Sequence, residues 1–263
     1  MTVQEPRSAR FDGDGNEELF VLQQTLYESR NPTRRWLHRS RRAWLVEAIE
    51  RFGARARRAI EIGPGSGVYL PTLASVAEEV VGADVEDAYL RQLRGIEDDH
   101  GNVRLVHDDI TRSSFPDDHF DLVLCSEVIE HIRDSRRALV EMHRVLRPGG
   151  VLILSTPQRF SPLEICSKVA FLPGVIDIVR RIYKEPVLET GHVNLMTRRA
   201  LRAQLGDACF AIRETYAAGA YLPVIAELFG DRALRLERAL DLRLRGSRFE
   251  WLLWTQFVVA TAR

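Results

Sequence analysis

Lysine is nearly absent from this chain. Of 37 lysines and arginines, only Lys168 and Lys184 are lysines. A GC-rich genome would give that bias without any functional reason. Cysteine is scarce as well. Cys125, Cys166 and Cys209 lie far apart and form no CxxC pair, so no disulfide framework is implied and a reducing cytoplasm fits. Cys125 and Cys209 sit in apolar segments and are expected to be small core residues. Neither sign of charge is in excess. The 37 acidic residues balance the 37 basic ones, so no overall field favours DNA, RNA or an anionic membrane. Local arginine clusters (Arg55, Arg57, Arg58 and Arg34, Arg35, Arg39, Arg41, Arg42) are expected to be solvated helix faces. No apolar run approaches the ~20 residues that span a bilayer. The first residues are polar, without an apolar signal core. A soluble protein is expected.

What remains is ordinary for a globular enzyme: 263 residues, 45% hydrophobic and 28% charged. Residues 1 to about 18 are polar. A helical region follows, interrupted near Asn31-Pro32, in which Trp36, Leu37, Ala43, Trp44, Leu45, Ala48 and Ile49 recur at helical spacing. The pattern then alternates. Apolar runs predict strands at 59–63, 80–85, 103–107, 120–125 and 151–156. Amphipathic stretches predict helices at 67–78, 87–97 and 134–146. That alternation argues an α/β fold with a parallel sheet covered on both faces. Residues 158–195 break the rhythm with Pro162, Pro173 and Pro186 among apolar residues. They read as an insertion, either a lid or a helix packed on the core. A helix capped by Thr197, a strand at 210–217, a helical region at 221–246 and a strand ending at Thr261 complete the chain.

The most informative stretch is Glu61-Ile62-Gly63-Pro64-Gly65-Ser66-Gly67. A strand ends there at a glycine-rich turn and a helical pattern follows, so backbone N–H groups can approach a ligand closely. Asp84 closes the next strand, where a carboxylate commonly grips the ribose of an adenosyl group. The spacing is G-x-G-x-G, and Val68 stands where a dinucleotide site would carry its third glycine.

Six segments in order extend the pattern: Glu61 to Gly67, Asp84, Val103 to Asp109, Phe115 to Asp121, Leu122 to His131, and Leu146-Arg147-Pro148-Gly149-Gly150 before Val151 to Leu154. Over roughly residues 35–215 the chain resembles the class I S-adenosylmethionine (SAM)-dependent methyltransferases, of the methyltransferase type 11 and ubiquinone-pathway O-methyltransferase kind. The resemblance implies a Rossmann-like, doubly wound, seven-stranded sheet, mostly parallel with an antiparallel last strand, and a lid inserted after strand 5. It implies one methyltransferase domain over 1–263: an N-terminal helical region (1–55), a SAM-binding core (56–157), a lid or substrate insertion (158–195) and a C-terminal part completing the sheet (196–263). SAM is the implied cofactor. Gly63, Gly65 and Gly67 would approach its methionyl end, and Glu61 would orient the loop. Asp84 would accept from both ribose hydroxyls. Asp109, eight residues before Asp117, would accept from the adenine amino group, with Asp108 as its rival and the Ile110 N–H at a ring nitrogen. Ser126 would line the pocket near the sulfonium.

Glu127-Val128-Ile129-Glu130-His131 is the sharpest chemical constellation. On a helical turn, i, i+3 and i+4 share a face, which would gather Glu127, Glu130 and His131 as ligands for a divalent metal such as Mg. His192 could be a fourth. The O-methyltransferases of ubiquinone biosynthesis and the small-RNA terminal 2′-O-methyltransferases carry similar patterns. The alternative is a metal-free site, with Glu130 fixing helix termini and His131 meeting the methionyl group or acting as a base. The expected reaction is methyl transfer to a small or lipid-like acceptor, foremost at a hydroxyl oxygen, with C- or N-methylation as alternatives and a non-catalytic binding protein as a further one. Tyr183, Tyr221 and Phe160 could line the acceptor pocket or belong to the core. No basic–aromatic stripe suggests nucleic acid. Peripheral contact with a membrane surface is compatible with a lipid-like acceptor.

Overall fold

The computed structural model describes residues 26–172, 174, 176 and 191–263. Part of the expected lid, including Tyr183, Pro173 and Pro186, lies outside the described residues. Seven strands form one sheet in the order β3-β2-β1-β4-β5-β7-β6. They are β1 (Arg58–Ile62), β2 (Glu79–Asp84), β3 (Val103–His107), β4 (Phe120–Ser126), β5 (Leu146–Pro157), β6 (Phe210–Ala218) and β7 (Thr255–Ala262). The first five run parallel, and β7 is antiparallel to both β5 and β6. This is the α/β, Rossmann-like, doubly wound sheet expected.

Strand side chains alternate between two cores. Ile60, Ile62, Val123, Cys125, Leu152 and Leu154 face one side, and Ala59, Leu122, Leu124 and Ile153 face the other. Both faces being covered explains why the central strands read as unbroken apolar runs. The first core is roofed by α5 (Ser135–Val145) and α7 (Arg198–Asp207). The second is roofed by α1 (Pro32–Gly53) and α2 (Leu70–Val76). Leu45 and Ile49 of α1 are wholly buried there, each contributing about 1.5–3 kcal/mol by leaving water. Asn31 caps α1, accepting from the Thr33 and Arg34 backbone N–H groups. Thr197 caps α7 as expected.

Some expectations need correction. The predicted helix over 87–97 is two short ones, α3 (Asp87–Gln92) and α4 (Arg94–Asp99), meeting at Leu93, whose side chain is buried in the core. The helical region expected at 221–246 is present, as α8 (Pro223–Phe229) and α9 (Asp231–Leu244), divided at Gly230 with φ 48°. Of the insertion, α6 (Pro162–Ala170) is described. Cys209 is exposed at φ 63°, in the turn between α7 and β6, and is not a core residue; Cys125 is. Tyr221 is buried beside Leu37 and Ala226, whereas Phe160 lies on the surface.

Candidate active site

The strand order reverses between β1 and β4, and ligands of such sheets bind beyond the carboxyl ends of the strands at that point. The glycine loop follows β1 there. Gly63, Gly65 and Gly67 all have positive φ (63°, 53° and 72°), a conformation that side chains resist. The Gly63 N–H donates to the Ala83 carbonyl at 2.8 Å, which ties the loop to β2. A Cβ on Gly63 would lie 2.6 Å from Val128 Cγ2, so glycine also permits the segment after β4 to close over the loop.

Two carboxylates share one face of the sheet here. Glu61 precedes the loop on β1, opposite Gly82 of β2, and Asp84 ends β2 two residues further on. Glu61 is 2% exposed, and its Oε2 has no hydrogen-bond partner among the described residues. Burial, then the nearby Asp84 charge, hold its carboxyl well above the usual range. Asp84 accepts from the Glu86 N–H at 2.9 Å, yet burial still pushes it up to about 6. Asp108 spends one oxygen on the Ser114 N–H and hydroxyl (2.8 and 2.7 Å), which folds the loop beyond β3. Asp109 caps the short turn Ile110–Arg112, accepting from the Thr111 N–H and hydroxyl, and its other oxygen faces Arg112 at 3.3 Å.

Beyond β4 the structure departs from the expected helical turn. Glu127 has φ 56°, and the next residues form a 3-10 turn, Ile129–His131. The α-helical spacing therefore does not apply, and the Glu127 carboxylate is engaged elsewhere. Its oxygens meet the Ser155 hydroxyl (2.9 Å) and the Arg41 guanidinium (2.9 Å). The Ser126 hydroxyl joins this chain through Ser155 at 3.1 Å. Arg41 is the residue that sequence reasoning missed. It is not on a solvated face: its side chain is 11% exposed, its Nε has no partner among the described residues, and its NH2 group contacts His38 Nδ1 at 3.1 Å. Burial opposes its charge, but Glu127 with the Tyr69 and Tyr27 hydroxyls outweighs burial and raises its pKa.

Glu130, His131 and His192 do come together, with candidate ligand atoms within 4.8 Å of one another; Glu127 is not part of this group. His192 arrives because the Val193 and Asn194 N–H groups both donate to the Glu130 carbonyl (3.0 and 2.9 Å). Glu130 is wholly buried. Its Oε2 accepts from the Thr156 hydroxyl at 2.8 Å and its Oε1 has no partner among the described residues. Burial, then Glu127, raise its pKa. The His131 and His192 rings meet edge-on at 5.1 Å. Crowding by protein, then His192, lowers His131 to about 4, so its imidazole is neutral at pH 7. Glu164 of α6 was also missed. It accepts from Trp254 Nε1 (3.2 Å) and pairs with His192 Nδ1 (3.1 Å). Its place in the first turn after the Ser161 cap is the local signal that sequence offers.

A glycine loop at a topological switch point, with an acid ending the second strand, defines a nucleoside-binding α/β domain. Comparison with known proteins narrows the class. Residues 60–154 match the methyltransferase domain family. Over 108 residues the chain is 37% identical to a probable SAM-dependent methyltransferase of Mycolicibacterium smegmatis, covering 40% of this chain and 41% of that protein. It is 35% identical over 120 residues to the ubiquinone/menaquinone biosynthesis C-methyltransferase UbiE of Proteus mirabilis, covering 43% and 48%. The matches thus span less than half the length of these relatives. The N-methyltransferase NodS of Bradyrhizobium japonicum, solved with S-adenosyl-L-homocysteine, shares the fold (TM-score 0.60, 17% identity, 95% of this chain and 97% of that one). Over these residues the chain is similar to SAM-dependent methyltransferases, and its fold is the one that NodS shows.

Proposed function

We propose that the protein transfers a methyl group from SAM to a small-molecule or lipid-like acceptor, at a hydroxyl oxygen. The carrying observation is one mouth of the sheet that combines two kinds of group. Buried carboxylates flank a glycine loop, and the histidine pair braced by Glu164 lies beyond it. In this reading Gly63, Gly65 and Gly67 admit the methionyl end. Glu61 faces its ammonium and Arg41, pivoting from Glu127, its carboxylate. Asp84 takes the ribose hydroxyls, Asp109 and the Ile110 N–H the adenine, and Ser126 lies near the sulfonium. Methyl transfer is an in-line displacement: the acceptor oxygen bonds to the methyl carbon as the carbon–sulfur bond breaks, leaving a neutral thioether. Alignment can supply on the order of 7–11 kcal/mol. The acceptor's proton goes to neutral His131, which His192 and Glu164 hold in place.

C-methylation is the second reading, favoured by the likeness to UbiE. A divalent metal such as Mg is a further element. Glu130 with its partnerless Oε1, His131 and His192 would hold it, and it would lower the acceptor's pKa. The apolar insertion supports a lipid-like acceptor. The test is transfer of labelled methyl from SAM into host-cell extract, split between organic and aqueous phases, with and without chelator. Label in the organic phase is expected. Label confined to the aqueous phase would sink the lipid-like acceptor, and activity untouched by chelator would sink the metal.

A further inference from the structure

The chain as a whole is neutral, but α9 is not neutral on its outer face. Its two mid-helix acids, Glu237 and Asp241, are buried. Glu237 accepts from the Thr33 hydroxyl (2.6 Å) and the Leu222 N–H (2.7 Å). Asp241 accepts from the Gly219 and Ala220 N–H groups. The helix therefore spends its interior negative charge inward. Its outward row holds Arg232, Arg235 and Arg243, all exposed, and no described side chain pairs with them. Asp231, at the first turn, is the one exposed acid of the helix.

Large apolar side chains are exposed between and beside these arginines. Leu236 and Leu242 are 46% and 69% exposed on α9 itself. At its amino end, the Gly230 corner presents Leu228 and Phe229, 63% and 56% exposed. Past its carboxyl end, Phe249 and Trp251 are 43% and 46% exposed. A 14-residue helix is about 21 Å long, so apolar and aromatic groups flank a basic stripe at both ends. Isolated exposed leucines need no explanation, but six such residues along one basic element do.

We propose that α9 and the turns at its two ends are a docking surface for an anionic lipid bilayer. Arginine among leucine, phenylalanine and tryptophan is the composition of helices lying in a membrane interface, with cations at the headgroups and apolar groups at the acyl boundary. A second copy docked two-fold on the same face would set arginine against arginine. A nucleic acid would pair the arginines but leave Leu236 and Leu242 in water. The surface also connects to the candidate site. The neighbouring α8 packs on α6, which carries Glu164 inside and exposes Ile165 and Val169 outside. Binding to the bilayer stands on the observations above. Its use, access to a lipid-like acceptor, rests on the function proposed above.

The test is sedimentation of the full chain with vesicles of phosphatidylcholine alone or with about 30% phosphatidylglycerol. Binding to the anionic vesicles alone is expected, weakening as salt rises. Arg232→Gln/Arg235→Gln/Arg243→Gln should weaken it about 100-fold, and Phe229→Ser/Leu242→Ser should also weaken it. SAM affinity, measured on each variant by calorimetry, should be unchanged. Absent binding, equal binding to neutral vesicles, or binding untouched by either variant would overturn the proposal. A dimer of the free chain that Leu242→Ser disperses would also overturn it, in favour of a second copy. Vesicle binding without SAM binding would leave this surface standing and remove the methyltransferase reading instead.

Discussion

Asp84 is poised to change protonation state just below neutrality. Burial has raised its pKa to about 6, above the ordinary 3.8. As the ribose acceptor it must be ionised, so SAM affinity should fall as pH drops through about 6, with Asp84→Asn flattening that dependence. Asp84→Asn should itself weaken SAM binding about 10–100-fold by calorimetry at pH 8, since hydrogen bonds to a charged acceptor are worth about 1.5–3 kcal/mol each. A wild-type affinity unchanged between pH 5 and pH 8 would remove Asp84 from the ribose. For stability the sign is opposite. A raised carboxyl pKa means the folded chain binds more protons between about 4 and 6, so this group's contribution is full below the unfolded pKa and is lost as pH rises through the folded one. Asp84 was legible in sequence because a lone acid closing an apolar strand has a positional meaning. Arg41 was not. Six arginines lie on that helix, and nothing local shows which one meets a carboxylate 86 residues away. Arg41→Ala would strand Glu127 at the site, and by denaturant unfolding should cost about 3–5 kcal/mol; a cost below ~1 kcal/mol would mean that the pair is solvated.

At the scale of elements, the strands were readable to within a residue or two at most ends because burial on both faces leaves apolar runs bounded by turns. Helical details were less legible. An α-helical and a 3-10 turn look alike over five residues, so Glu127-to-His131 could not reveal that Glu127 faces Arg41 while Glu130 and His131 face His192. The divided helices at Leu93 and Gly230 escaped for the same reason, since the apolar spacing continues across each break. The glycine loop carries its own prediction. Gly63→Ala adds a side chain at φ 63° and places its Cβ 2.6 Å from Val128 Cγ2. The left-handed backbone alone costs about 1–2 kcal/mol, and the clash adds to it. SAM affinity should fall at least tenfold. Adding Val128→Ala relieves the clash but not the backbone cost, so the double variant should recover part of the affinity. Full recovery would mean that the positive φ is not needed, and no recovery that Val128 is not the obstacle.

For the whole molecule, net neutrality means no overall field, but it does not fix how charge is distributed over the surface. On α9 the acids Glu237 and Asp241 are buried while Arg232, Arg235 and Arg243 stay exposed. The site is likewise a product of the whole chain. Glu61 and Asp84 come from the sheet, Arg41 from the helix before it, and Glu164 and His192 from the segment after β5. A ligand that touches all three parts should stabilise them together. At about 100 times its Kd, SAM should add about 2.7 kcal/mol, which for a chain of this size raises Tm by roughly 5–10 °C. How that protection is distributed decides the architecture. Amide exchange should slow in the glycine loop and the ends of β1 and β2 whatever the role of α1. If Arg41 does leave Glu127 for the methionyl carboxylate, α1 around residues 38–45 should slow in parallel, and Arg41→Gln should abolish that part while sparing the loop. Protection confined to the loop and strands in the wild type would leave Arg41 a purely structural partner of Glu127 and restrict the cofactor site to the central sheet.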